Sequence, residues 1–154
     1  VTLNNNRVTE LRLPNNNLTG KVPAILTDIE NLQVVDLSGN FLTALPDLTA
    51  ITTLTELDVS ENALDFSSLI NNASLLTVDY RDQADLGTAR TDSIRYNTDF
   101  KVGVAVQGEG NRFQWLRNGT AVSGATDSVY VIPALNRTNM GEYRLEITNP
   151  AVPN

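Results

Sequence analysis

The chain has 154 residues, room for one ordinary domain or two small ones, and its 41% hydrophobic and 19% charged residues are those of a globular protein. A net charge of −7 and an isoelectric point near 4.4 leave no basic stripe for nucleic acid or an anionic membrane surface. No apolar run approaches the roughly 18 residues of a membrane span. Neither Cys nor His occurs. This removes disulfides, thiol nucleophiles, the commonest general base and the usual transition-metal ligand, and no catalytic residue or cofactor is expected. The chain starts at Val1 with no signal peptide before it, as expected of a piece of a longer protein.

Residues 1–7 (VTLNNNR) read as the tail of a capping strand and a polar turn into Val8. From there one frame recurs: Val8, Leu11, Leu13, Asn16, Leu18; then Leu32, Val35, Leu37, Asn40, Leu42; then Leu54, Leu57, Val59, Asn62, Leu64. A fourth copy follows as Leu75, Val78 and Tyr80, with Gln83 in the Asn place. Starts at 8, 32, 54 and 75 are 24, 22 and 21 residues apart. A frame of this form and period resembles the leucine-rich repeat, whose period is about 20–29 residues. In that fold the first, fourth and sixth positions point inward from a short strand, and the Asn side chain bonds backbone groups as the chain turns away. Successive strands stack in parallel, because one repeat alone cannot bury its apolar face. The resemblance also implies a Trp-containing cap upstream of Val1.

The linkers fit the same pattern. Leu18-Thr19-Gly20-Lys21-Val22-Pro23 resembles the plant-type turn, and Leu42-Thr43-Ala44-Leu45-Pro46 the shorter bacterial one. Residues 24–29, 48–51 and 65–72 are each expected to make one helical or 3₁₀ turn.

After Tyr80 the pattern breaks, and the polar stretch 81–92 sets the expected boundary at residue 84, with a repeat domain over 1–84 and a second domain over 85–154. Phe100, Val102, Val104 and Val106 then alternate with polar or small residues, predicting a half-buried strand. Further strands are predicted over 112–117, 120–122, 128–132 and 142–148. Turns fall at Gly108–Gly110, at Asn118-Gly119 (a strong hairpin signal) and at Ser123-Gly124. Short strands at this spacing predict a β-sandwich.

Trp115 stands eleven positions after Val104, and Asn139-x-Gly141-x-Tyr143-x-Leu145 follows. These residues resemble an immunoglobulin-like domain: the buried Trp of one strand and the tyrosine corner of another. The resemblance implies that Val104 and Leu145 replace the disulfide pair by an apolar contact with each other and with Trp115. It implies also that the sandwich lacks its last strand, since only Asn149-Pro-Ala-Val-Pro-Asn154 follows.

In register, the outward positions of the repeat strands form three columns: Glu10, Val34, Glu56, Thr77; Arg12, Asp36, Asp58, Asp79; and Pro14, Ser38, Ser60, Arg81. Carboxylates of the second column lie about 4.8 Å apart, the strand spacing. They read either as a site for a cation or basic ligand or as solvated residues common at this place of the repeat. A retaining glycosidase needs a similar separation, about 5–5.5 Å, but a flat solvated sheet offers no pocket to raise one pKa. Aromatic side chains have mostly structural readings, Tyr80 and Trp115 in cores and Tyr143 in its corner, with Phe41 on the convex edge. Four Asn-x-Ser/Thr sequons, at Asn17, Asn72, Asn118 and Asn136, are expected as chance matches in an Asn-rich chain.

The chain thus resembles bacterial secreted or cell-surface proteins that join a leucine-rich-repeat solenoid to an immunoglobulin-like sandwich. The resemblance implies a non-catalytic binding or adhesion module. Its protein ligand would sit on the concave face formed by Glu10, Arg12, Val34, Asp36, Ser38, Glu56, Asp58, Ser60, Asp79 and Arg81, oriented by the second domain. The rival reading is a glycan-binding or spacer segment of a larger secreted enzyme or a surface stalk.

Overall fold

The computed structural model describes residues 1–75 and 77–152, which divide into two compact units, Val1–Gly87 and a second from Thr88 onward. The last two residues of the segment 149–154 lie outside the described residues.

In the first unit, strand β1 (Thr2–Asn4) turns through Asn5 and Asn6, both at positive φ, and pairs antiparallel with β2 (Arg7–Arg12). Asn tolerates the left-handed region better than other side-chain-bearing residues, which is what a tight hairpin needs. Strands β4 (Val34–Asp36), β6 (Glu56–Asp58) and β7 (Val78–Asp79) then stack in parallel on β2, in the order β1-β2-β4-β6-β7. The register joins Leu11, Val35, Leu57 and Val78 across one row. These are the inward positions of the sequence frame.

A second, two-stranded parallel sheet pairs β3 (Thr19–Lys21) with β5 (Phe41–Ala44). This sheet was not expected; the sequence marked both segments only as turns. Between the sheets lies a leucine core: Leu32, Val35, Leu37, Leu42, Leu48, Leu54, Leu57, Val59 and Leu64 are all buried. The first repeat is less covered, with Val8, Leu11, Leu13 and Leu18 half-buried, as befits the end unit of a stack. Residues Ala24–Asp28 form a 3₁₀ turn, and residues 48–51 close one turn through the Ile51 N–H to Leu48 O bond of 3.0 Å. The segment 65–72 does more than the single turn expected. It is helix α1 (Phe66–Asn72), capped by Asp65, whose carboxylate accepts from the Ser68 N–H at 2.7 Å.

The buried amides tie the turns together. Asn40 Oδ1 accepts from the N–H groups of Asn16 and Leu18 at 3.0 and 2.9 Å, and Asn62 Oδ1 from Leu42 at 3.0 Å. Their Nδ2 groups donate to Leu37 O at 2.8 and 3.0 Å. Gln83 does the same work one methylene longer: Oε1 accepts from Leu64 N–H at 2.9 Å and Nε2 donates to Val59 O at 2.9 Å. The fourth repeat is therefore degenerate in letters but complete in its bonds to the third.

The second unit contains strands β8 (Phe100–Gly103), β9 (Arg112–Arg117), β10 (Thr120–Ala121), β11 (Val129–Ile132) and β12 (Tyr143–Thr148). They form two antiparallel sheets, β10-β9-β12 and β11-β8. Among the described residues no strand pairs with the outer edge of β12, and Asn149 and Val152 close a small antiparallel bridge beyond it. Trp115 is buried at 3% exposure, its indole N–H donating to Asp127 O at 2.9 Å. It stacks on Tyr130 with ring centroids 5.9 Å apart, and Tyr130 lies 5.9 Å from Tyr143. Such pairs are worth about 0.5–1.5 kcal/mol beyond their buried area.

One expectation fails here. Val104 retains 37% of its surface and sits past the end of β8, so it is not a buried replacement for a bridging cysteine. The alternation that singled it out is sound through Val102, which pairs with Tyr130. Beyond Gly103 the Val104 N–H donates to Ser128 O, just before β11, and the chain then leaves for the next turn. Tyr130, which the sequence pattern did not mark, closes the core instead. Leu145 is half-buried and stands opposite Trp115 on the neighbouring strand.

Candidate functional site: the open face of the repeat sheet

Because side chains alternate along a strand, the positions flanking Leu11, Val35, Leu57 and Val78 point away from the core. The register places Glu10, Val34 and Glu56 in one row and Arg12, Asp36, Asp58 and Asp79 in the next. The first two expected columns thus exist on this face, with Thr77 just before β7, adjoining the first column. Pro14 also lies past its strand end and is exposed.

The third column is bonded to the second. Ser38 donates to Asp36 Oδ1 through its backbone N–H at 3.2 Å and its hydroxyl at 2.7 Å. Ser60 repeats this on Asp58 at 3.0 and 2.7 Å. At the fourth strand Arg81 stands in for the serine. Its N–H and Nε donate to Asp79 Oδ1 at 3.2 and 3.0 Å, and its Nη2 to Oδ2 at 2.6 Å. Each Asp-x-Ser or Asp-x-Arg is a side-chain-to-backbone turn that ends the strand and starts the chain toward the buried amide. The Asp-Leu-Ser and Asp-Val-Ser triplets carry this signal in the sequence.

The guanidinium of Arg81 holds the Asp79 carboxyl below the usual carboxylate range, while Asp79 raises Arg81 in turn. Arg12 stands at the end of the second column, opposite Asp36, but its side chain turns to the first. Its Nε lies 3.3 Å from Glu10 Oε2 and its Nη1 3.9 Å from Glu56 Oε1, so it bridges the first column. Glu10 also accepts from the Thr2 hydroxyl at 3.1 Å, which ties the face to the β1 hairpin.

The surface that results is half-exposed and polar. Five carboxylates stand against two guanidinium groups, with Val34 as its apolar spot. Among the described residues no cluster of acidic side chains is arranged to hold a metal ion, and no helix is long and apolar enough to cross a membrane. An apolar cavity of about 560 Å³ opens elsewhere in this unit, among Leu11, Leu18, Val22, Ile25, Leu26 and Leu42. Its lining mixes frame residues such as Leu11, Leu18 and Leu42 with linker residues such as Val22, Ile25 and Leu26, which the repeat pattern did not mark. Phe41 is 59% exposed on β5, away from the open face.

The sequons divide by structure. Asn72 is buried at 1% exposure, with its amide bonded to Leu48 N–H, Pro46 O and Ser68 O, so the folded chain offers it to no enzyme. Asn118 bonds to Glu142, and Asn136 caps a 3₁₀ turn at Arg137–Asn139. Asn17 is exposed in a turn at positive φ.

A model of the leucine-rich-repeat family matches residues 31–50, which hold β4, the Asn40 turn and β5. This segment is a leucine-rich repeat. Such repeats are generally non-enzymatic and mediate protein binding. No curated protein and no solved structure matches the chain.

Proposed function

We propose that the chain is a non-catalytic binding module of a secreted or cell-surface protein, and that it takes a protein ligand on the open face of the repeat sheet. The observation that carries the reading is the registered double row of Glu10, Val34, Glu56 and Arg12, Asp36, Asp58, Asp79. A parallel sheet fixes the separation of these groups, so a partner meets a rigid, spaced set of charges. The excess of carboxylates favours a basic segment of that partner, drawn in by long-range attraction that weakens with salt. The Asp-x-Ser turns hold the carboxylates in place without burying them, which presets their geometry.

For the second unit we propose an immunoglobulin-like sandwich of the kind found in bacterial surface proteins. Support comes from its two antiparallel sheets, the buried Trp115, and the Tyr143 hydroxyl that donates to Asn139 O at 2.7 Å at the strand corner.

The test is capture from host and bacterial surface extracts, comparing wild type with the Asp36→Asn, Asp58→Asn, Asp79→Asn variant. Asn keeps the Oδ1 acceptor of each turn, so the fold is retained while three charges go. A protein captured by wild type and lost in the variant supports the reading. Equal capture by both moves the site off this face.

A further inference from the structure

Asn118-Gly119, the single Asn-Gly pair of the chain, forms the tip of the β9–β10 hairpin. Both residues have positive φ, 48° and 78°, as a two-residue hairpin turn of this type demands. Both are exposed, and nothing lies within 4 Å of where a Cβ on Gly119 would stand. The tip is also a cross-link. Asn118 N–H donates to Glu142 O at 2.8 Å, and Asn118 Oδ1 accepts from Glu142 N–H at 2.9 Å. Gly141 makes room for this contact, since a Cβ there would meet Asn118 Oδ1 at 2.7 Å. Arg117 adds donations to Met140 O at 3.2 and 2.8 Å and a further one to Thr138 O.

We propose that Asn118 is a covalent modification site whose reaction is gated by opening of this tip. In the reaction the backbone nitrogen of Gly119 attacks the side-chain amide carbon of Asn118. The new C–N bond closes a cyclic imide, the amide C–N bond breaks, and ammonia leaves with the proton from the Gly119 nitrogen. Water then opens the imide at one carbonyl or the other, giving Asp or isoaspartate. Glycine is the favourable follower because no side chain shields its nitrogen. In the closed hairpin the amide is held against Glu142 and Gly141, and ring closure requires it to swing onto Gly119. The reaction therefore draws on the open population of the tip.

The isoaspartate product does not return to the starting hairpin. Isoaspartate routes the backbone through an extra methylene, which a two-residue turn with both central residues at positive φ does not accommodate. Both bonds from Asn118 to Glu142 go with it, so an opening event that ends in isoaspartate is stored as a lasting loosening of β9 from the start of β12.

Peptide mapping by mass spectrometry of the whole chain in warm, mildly alkaline buffer tests this, with and without urea. The unfolded chain should convert at Asn118 at least about tenfold faster than the folded one, the factor set by the closed population. Gly119→Ala should suppress conversion in both states, and Gly141→Ala should raise it in the folded state. If Gly141→Ala does not fold, wild type still decides: in sub-denaturing urea, conversion and hydrogen exchange of the Glu142 amide should accelerate together. Equal rates in folded and unfolded chain, or exchange at Glu142 that rises while conversion does not, would overturn the gating. Conversion unaffected by Gly119→Ala would overturn the site.

Discussion

The Asn62→Ala substitution probes what holds the repeats in register. Asn62 is 2% exposed, and its Oδ1 accepts the Leu42 N–H at 3.0 Å while Nδ2 donates to Leu37 O, Val59 O and Ser60 O. The three carbonyls each keep another donor: Asn40 Nδ2 for Leu37, Gln83 Nε2 for Val59 and Gly39 N–H for Ser60. The Leu42 N–H loses the partner that ties it to the next repeat, in a core position 3% exposed. Leaving a buried donor unmade costs about 1–3 kcal/mol, and the void left by the amide adds about 1 kcal/mol. The repeat unit should therefore lose about 2–4 kcal/mol. With a urea dependence of about 2 kcal/mol per molar, its unfolding midpoint falls by roughly 1–2 M. Far-UV circular dichroism follows the transition, while fluorescence of Trp115, the single Trp, reads the second unit separately. Asn62→Asp should be worse than Ala at neutral pH, because a carboxylate would face three carbonyl oxygens, and it should recover in acid as it protonates. A midpoint for Asn62→Ala within error of wild type would refute the tie between repeats.

Two further outcomes follow from the ionisable groups and the aromatic core. Burial raises the Tyr143 phenol above its ordinary 10.0, so the folded state prefers the neutral form. Stability from this group is fully present below about 10, the unfolded value, and is lost as pH rises through the folded one. Tyr143→Phe should flatten that alkaline loss while costing about 0.5–1.5 kcal/mol at neutral pH, measured by urea titration across pH. Asp79 is depressed by Arg81, so its contribution is present above the ordinary carboxylate value and is lost as pH falls through the depressed one. Arg81→Ala should return the Asp79 carboxyl toward that ordinary value in an NMR titration. Because the pair is exposed, the change in stability should stay below about 1 kcal/mol.

The repeat core was legible because its signal is redundant. Each strand supplies three inward apolar positions and an amide, and the same period in several copies fixes strand, register and turn together. Gln83 marked the fourth copy as degenerate, yet it keeps both ends of the amide and makes the same bonds. The β3–β5 sheet was hidden, because Thr19-Gly20-Lys21 carries no alternation and pairs only through its neighbour in the next repeat. In the second unit, alternation placed Val102 and Val104 alike, and only the end of β8 separates them. Tyr130 went unmarked because its neighbours Val129 and Val131 are apolar too, although both are exposed. On the candidate face the columns could be counted from sequence, but the bonds within them could not. Arg12 had a choice between Asp36 and the glutamates on either side, and the structure gives it Glu10 and Glu56.

Carboxyl footprinting by carbodiimide labelling, run on the chain alone and on the chain with its captured partner, tests the binding face most directly. The proposed site predicts that Glu10, Asp36, Glu56, Asp58 and Asp79 lose labelling in the complex while the exposed Asp28, Glu30 and Asp47 do not. Protection of Asp28, Glu30 or Asp47 with the five face carboxylates still labelled would contradict it.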